Sequence, residues 1–120
     1  MGVPTTGRIR SHETFRSLRR PAGRGRSGAV RVAFVAPDSE VSTACPLVAY
    51  AIGRRSGSAV RRNRIRRRLR AAVAKGSREL APGSYLVSAD TEAQALPFPQ
   101  LAAAVSEAMG LAARRGTAGR

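Results

Sequence analysis

The sequence predicts a two-layer α/β sandwich of three or four strands and three helices. Three observations carry that prediction. The chain has 120 residues, which suits one domain and is too short for two of ordinary size. Hydrophobic residues make up 42%, so the composition is not that of a disordered chain. Segments of period two and of helical period follow one another in the order helix, strand, strand, helix, strand, helix. Such a mixture closes its core by laying helices on a sheet. Aromatics are only 4%, without tryptophan. The core is therefore expected to be Val, Leu, Ile and Ala. Phe15, Phe34, Tyr50, Tyr85 and Phe98 are its few large pieces or surface stacking platforms.

Residues 1–7 read as a loose arm. Arg10–Arg20 predicts a short helix: Ser11 is placed to cap it, Phe15 and Leu18 fall one turn apart on one face, and Pro21 with Gly23 ends it. Residues 24–28 read as a Gly/Arg/Ser loop. Ala29–Ala36 alternates as a strand, with Val30, Val32 and Phe34 on one face and Arg31, Ala33 and Val35 on the other. Residues 37–45 are a turn or exposed loop, with room for one more short strand between 37 and 47. Leu47–Gly53 is a second, largely apolar strand. A long helix begins near Ser58, because Ile65, Leu69, Ala72 and Val73 recur at i, i+4, i+7 and i+8 as one apolar stripe. Gly76 closes it. Pro82-Gly83 turns into a third strand, Ser84–Ala89, and Pro97-Phe98-Pro99 is a stop. Leu101–Ala113 is an Ala-rich helix with Leu101, Val105, Ala108, Met109 and Ala112 on one face. Gly116–Arg120 is expected to fray. The domain is thus placed at 8–115, between the arm and a disordered tail at 116–120.

Charge narrows the function. The formal net charge is +15. Gly53–Ala71 reads GRRSGSAVRRNRIRRRLRA, with nine arginines, and no acid occurs from Val41 to Arg78. Arg62/Arg66, Arg64/Arg68 and Arg66/Arg70 set like charges one turn apart, which opposes a helix. Ordinary solvated faces mix signs, so the run calls for a polyanion to relieve it. Only Lys75 is lysine; arginine's planar fork suits phosphate and stacks on bases. Asn63 interrupts the run as an amide able to bond a phosphate, a base edge or a metal-bound water.

Other classes are excluded or weakened. His12 is the only histidine, so no two-histidine acid–base site exists. Metal-assisted phosphodiester hydrolysis needs converging carboxylates, and only Asp38/Glu40 and Asp90/Glu92 are close in sequence. No phosphate-cradling glycine loop with its lysine is present. Cys45 is the only cysteine and reads as a buried small residue in a reducing compartment. No apolar run approaches the roughly 18 residues of a membrane span, and no secretory core is present. A cytoplasmic nucleic-acid binder without catalytic side chains is the expectation.

The block Ile52–Arg70 resembles the signature of the bacterial ribonuclease P protein family. The basic pair is Arg54-Arg55, Ala59-Val60 stand in place, and Arg62-Asn63-Arg64 is the Arg-Asn-Arg core of the basic helix. Arg8-Ile9-Arg10 with Thr14-Phe15, and Ser84-Tyr85-Leu86-Val87, resemble the family's N-terminus and late strand. The resemblance implies a sandwich like the second domain of ribosomal protein S5: a mixed sheet of about four strands, three helices, and a left-handed crossover into the arginine helix, against the usual hand. It implies a subunit of a ribonucleoprotein endonuclease that removes the 5′ leader of precursor tRNA. The RNA subunit would carry the chemistry with Mg2+, and the protein would supply no catalytic residue and no metal ligand. By the same resemblance, Arg54, Arg55, Arg61, Arg62, Asn63, Arg64, Arg66, Arg67, Arg68 and Arg70 would contact the catalytic RNA. Arg8, Arg10, Phe15, Arg31 and Phe34 would line a cleft for the leader. Two departures bear on that cleft. Leu18 and Arg19 stand where a second helix aromatic is common, and Asp90 stands where a basic residue is common. The competing classes are a non-catalytic RNA-binding structural protein, such as a ribosomal protein, and a self-sufficient nuclease.

Overall fold

The computed structural model describes residues 7–9, 12–37, 46–76 and 80–118. Its elements run β1 (Gly7–Arg8), α1 (His12–Ser17), β2 (Gly23–Ser27), β3 (Val30–Val35), β4 (Leu47–Ala51), α2 (Ala59–Gly76), β5 (Ser84–Ala89) and α3 (Phe98–Ala118). Two 3₁₀ turns, Arg54–Ser56 and Thr91–Gln94, precede α2 and α3. The strands form one mixed sheet in the order β1-β4-β5-β3-β2. β3 is antiparallel to β2 and β5; β4 is parallel to β1 and β5. α2 is the crossover between parallel neighbours β4 and β5.

Strand alternation divides the sheet into two faces. Phe34 pairs with Tyr85, Val32 with Val87 and Val30 with Ala89, and all six are buried. The stripes of α2 (Ile65, Leu69, Ala72, Val73) and α3 (Leu101, Val105, Ala108, Met109, Ala112) complete this core; each of these residues is at most 2% exposed. The Phe34 and Tyr85 rings meet tilted, 5.0 Å between centroids. The Tyr85 hydroxyl donates to Ala81 O at 2.7 Å. Burial nevertheless pushes its pKa up to about 12, the hydrogen bond to Ala81 pulling the other way. The opposite face, carrying Arg31, Ala33 and Val35, receives neither stripe. No helix among the described residues is long and apolar enough to cross a membrane.

The structure adds strands where the sequence predicts loop or arm. β2 reads GRGRS and has no apolar alternation. Its inward residues are Gly23 and Gly25, and a Cβ there would stand 2.1 Å from the carbonyl oxygens of Ala112 and Ala108. The backbone of α3 lies directly on β2, so the buried face of this edge strand has to be glycine. Arg115 Nη1 donates to Arg24 O at 2.9 Å and Ser27 Oγ to Glu107 Oε1 at 2.6 Å, fastening helix to strand. β1 is two residues long and pairs only with Leu47 and Val48.

Helix limits differ too. α1 spans His12–Ser17 rather than Arg10–Arg20; the Ser11 cap lies outside the described residues. α3 continues to Ala118, past the fraying expected from Gly116, because Gly116 is buried against the Phe34 ring. Cys45, most of the 37–47 segment, residues 1–6 of the expected 1–7 arm and residues 119–120 lie outside the described residues, while Gly7 of that arm belongs to β1.

Candidate nucleic-acid interface

Gly57 has φ of +112°, a backbone that L side chains rarely adopt, and it turns the chain from the 3₁₀ segment into α2. Ser58 then caps the helix: its Oγ accepts from the Arg61 N–H at 3.3 Å. Burying Ile65, Leu69, Ala72 and Val73 fixes the rotation of α2, and that rotation assigns each polar residue a direction. Arg54, Arg55, Arg61, Asn63, Arg64, Arg67 and Arg70 are exposed. Asn63 Oδ1 accepts from Arg66 Nη1 at 3.3 Å, so the amide orients a neighbouring guanidinium. Arg62 sits next to the buried stripe, half-buried, with its Nε buried and without a hydrogen-bond partner in the described structure.

Arg68 corrects the prediction of a uniformly outward arc. It is half-buried, and its guanidinium donates to Ala93 O at 2.6 Å, Gln94 O at 2.9 Å and Leu96 O. Those carbonyls belong to the turn between β5 and α3, where the backbone lacks long helical partners. Arg68 clasps that turn, and its guanidinium is engaged by the protein's own backbone. Charge periodicity could not reveal this, since the carbonyls lie 25–28 residues away in sequence.

A groove of about 600 Å³ opens where β1 stops short along β4; Arg8, Phe15, Tyr50, Arg66 and Arg70 are among its lining residues. Phe15 is 41% exposed, whereas Leu18, one turn on, is 4% exposed. The helix face expected to hold both is split between groove and core. Arg70 Cζ lies 5.8 Å from the Tyr50 ring centroid. Desolvation raises the Tyr50 pKa, and the Arg70 charge offsets part of that. Sequence reasoning left Tyr50 open as a core piece or a stacking platform and did not place it among the site residues. Alternation places it on the helix side with Val48, as core, and only the shortness of β1 leaves it open. A groove lined by two aromatic rings and three guanidiniums can stack a base and hold its phosphate.

The described acidic residues do not form a rival site. Among the described residues, no three His, Cys, Asp or Glu side chains come together. Asp90, one of the paired acids, is bound to arginine: its Oδ1 lies 2.9 Å from Arg31 Nη2, and its Oδ2 lies 3.8 Å from Arg26 Nη2.

The sequence model of the family described as Ribonuclease P matches residues 3–113. The chain belongs to the ribonuclease P protein family. It is 36% identical over 113 residues to the ribonuclease P protein component of Symbiobacterium thermophilum, covering 91% of this chain and 96% of that one. The component from Brucella suis is 35% identical over 77 residues, 62% of this chain and 55% of its own. The fold is that of the RNase P protein from Staphylococcus aureus, with a TM-score of 0.71 at 17% identity, covering 90% of this chain and 96% of that one. The Thermotoga maritima RNase P protein gives a TM-score of 0.67 at 15% identity, covering 82% and 91%. Family membership makes the chain a protein subunit of ribonuclease P, a ribonucleoprotein of tRNA processing.

The residues that the family resemblance assigned to one leader cleft fall into separate places. Arg8 and Phe15 share the groove at the β4 edge. Arg31 lies on the sheet face opposite α2 and α3, beside Asp90. Phe34 is corrected to a core residue: with 0% exposure, its ring is enclosed by Tyr85, Gly83 and Gly116 and offers no surface to a base. Arg10 lies outside the described residues.

Proposed function

We propose that this subunit docks on the catalytic RNA of ribonuclease P through the outward arginines of α2. The groove of Arg8, Phe15, Tyr50, Arg66 and Arg70 then takes the single-stranded 5′ leader of precursor tRNA. The observation that carries this reading is Phe15, a large ring left exposed in a groove rimmed by arginine. Arg66 and Arg70 belong both to α2 and to the groove, so one helix serves RNA on its outer arc and the leader on its flank. Endonucleolytic removal of the leader is then chemistry of the RNA subunit. Mg2+ would be held by RNA phosphates, and among the described residues no three acids come together. The working compartment is the cytoplasm.

One experiment tests the whole assignment. Labelled precursor tRNA is incubated with the protein alone, with the catalytic RNA alone at low magnesium, and with both. Cleavage at the mature 5′ end only in the mixture is expected. Cleavage by the protein alone would overturn the division of labour, and a mixture no better than the RNA alone would favour a purely structural RNA-binding role.

A further inference from the structure

Arg26 and Arg31 face each other across the β2–β3 pair. Like charges directly opposite on one sheet face repel. Both project from the face that α2 and α3 leave uncovered, and both rim a second groove of about 450 Å³ together with Arg24 and Arg115, over a floor that includes Ala33 and Leu86. One carboxylate relieves the repulsion: Asp90 reaches Arg31 at 2.9 Å and Arg26 at 3.8 Å.

The position of Asp90 makes this pairing informative. It stands at the start of the Thr91–Gln94 turn, where aspartate commonly accepts a backbone N–H through its side chain. Here it makes no such cap bond, and its carboxylate is turned to the two guanidiniums. Its two oxygens, one 2.9 Å from Arg31 Nη2 and the other 3.8 Å from Arg26 Nη2, put negative charge where a phosphate between the two guanidiniums would put it. The side chains are 36–66% exposed, so the pairing is weak and open to exchange in water.

We propose that the Asp90 carboxylate is a built-in stand-in for an RNA phosphate on the Arg26–Arg31 pair. Single-stranded RNA crossing the uncovered sheet face displaces it, and Asp90 thereby sets how tightly this chain holds a leader. The inference rests on the leader-binding reading above and extends it to a second groove. Asp90 lowers affinity by competition and also steadies the free protein by offsetting the repulsion between two facing arginines.

The test uses the reconstituted holoenzyme and two substrates, precursor tRNA with its leader and the same tRNA with the leader trimmed. Asp90→Asn keeps the shape and removes the charge. It should tighten binding of the leader-bearing substrate about two- to fivefold, steepen its salt dependence by roughly one unit, and leave the trimmed substrate unchanged. Asp90→Glu, which restores the charge, should behave as wild type. Adding Arg31→Ala to Asp90→Asn should cancel the gain. If wild-type holoenzyme prefers the leader-bearing substrate and Asp90→Asn changes neither affinity nor salt slope, the competition is refuted while the leader reading stands. If wild type does not distinguish the two substrates, the leader reading itself fails and takes this inference with it.

Discussion

Arg64 and Arg68 stand one turn apart on α2 and do opposite things. Arg64 is exposed; Arg68 is half-buried and bound to three backbone carbonyls. Sequence makes them equivalent members of one charge run. What separates them is the turn at residues 91–96, which brings unpaired carbonyls to one flank of the helix. A basic run is therefore a mixture of solvent-facing and fold-facing arginines, and only the partners of each side chain sort them. Replacing Arg68 gives the largest expected effect. Arg68→Ala should lower stability by about 2–4 kcal/mol, since several charge-assisted hydrogen bonds are lost together. Measured below its unfolding temperature, the variant should bind catalytic RNA nearly as wild type does. A large loss of RNA affinity without loss of stability would place Arg68 with Arg64 after all.

The same contrast recurs between Phe15 on α1 and Leu18 just past its end. Leu18 is core, and Phe15 belongs to the groove. Phe15→Ala should weaken binding of leader-bearing precursor tRNA by about 1–3 kcal/mol if the ring stacks on a base. It should leave mature tRNA binding and the thermal midpoint close to wild type. An unfolded variant would mean that the ring supports the core instead.

On the outward arc the effects are smaller and electrostatic. Arg64→Ala and Arg67→Ala should each reduce the salt slope of RNA binding by roughly one unit. Stability should hold or rise slightly, because a like-charge neighbour is relieved. If Arg64→Ala leaves affinity and slope unchanged, the docking surface lies elsewhere on the molecule.

How far the fold could be read in advance follows from which forces act locally. The stripe of α2, the stripe of α3, and the strands at 30–35, 47–51 and 84–89 are periodic, and periodicity is visible in one dimension. β2 was not legible, because its inward positions are glycines answering to the backbone of α3, roughly 85 residues away. β1 is too short to have a pattern. The site divided in the same way. The exposed arginines follow from charge and helix geometry, whereas the groove placement of Phe15 came only with the family resemblance, and the core placement of Phe34 was one of two alternatives that alternation left open. Arg68, Tyr50 and the Asp90 pairing depend on which segments meet in space, and no local pattern carries that.

The smallest effect tests the groove flank of α2 directly. The chain has two tyrosines, so phenolate absorbance resolves two ionisations. Both hydroxyls ionise less readily folded than unfolded. Each therefore adds stability that is fully present below the ordinary value of 10.0 and lost as pH rises through the folded value, near 12 for Tyr85. Their causes differ. The Tyr85 pKa is set by burial and by Ala81, and that of Tyr50 by burial and by the charge of Arg70. Arg70→Gln should therefore move the Tyr50 ionisation further up and leave Tyr85 in place. Tyr85→Phe should remove the Tyr85 ionisation and the stability lost between pH 10 and 12 that goes with it. A Tyr50 ionisation indifferent to Arg70→Gln would mean that the guanidinium does not rest on the ring. The groove would then lose its best-defined link between the arginine helix and an aromatic platform.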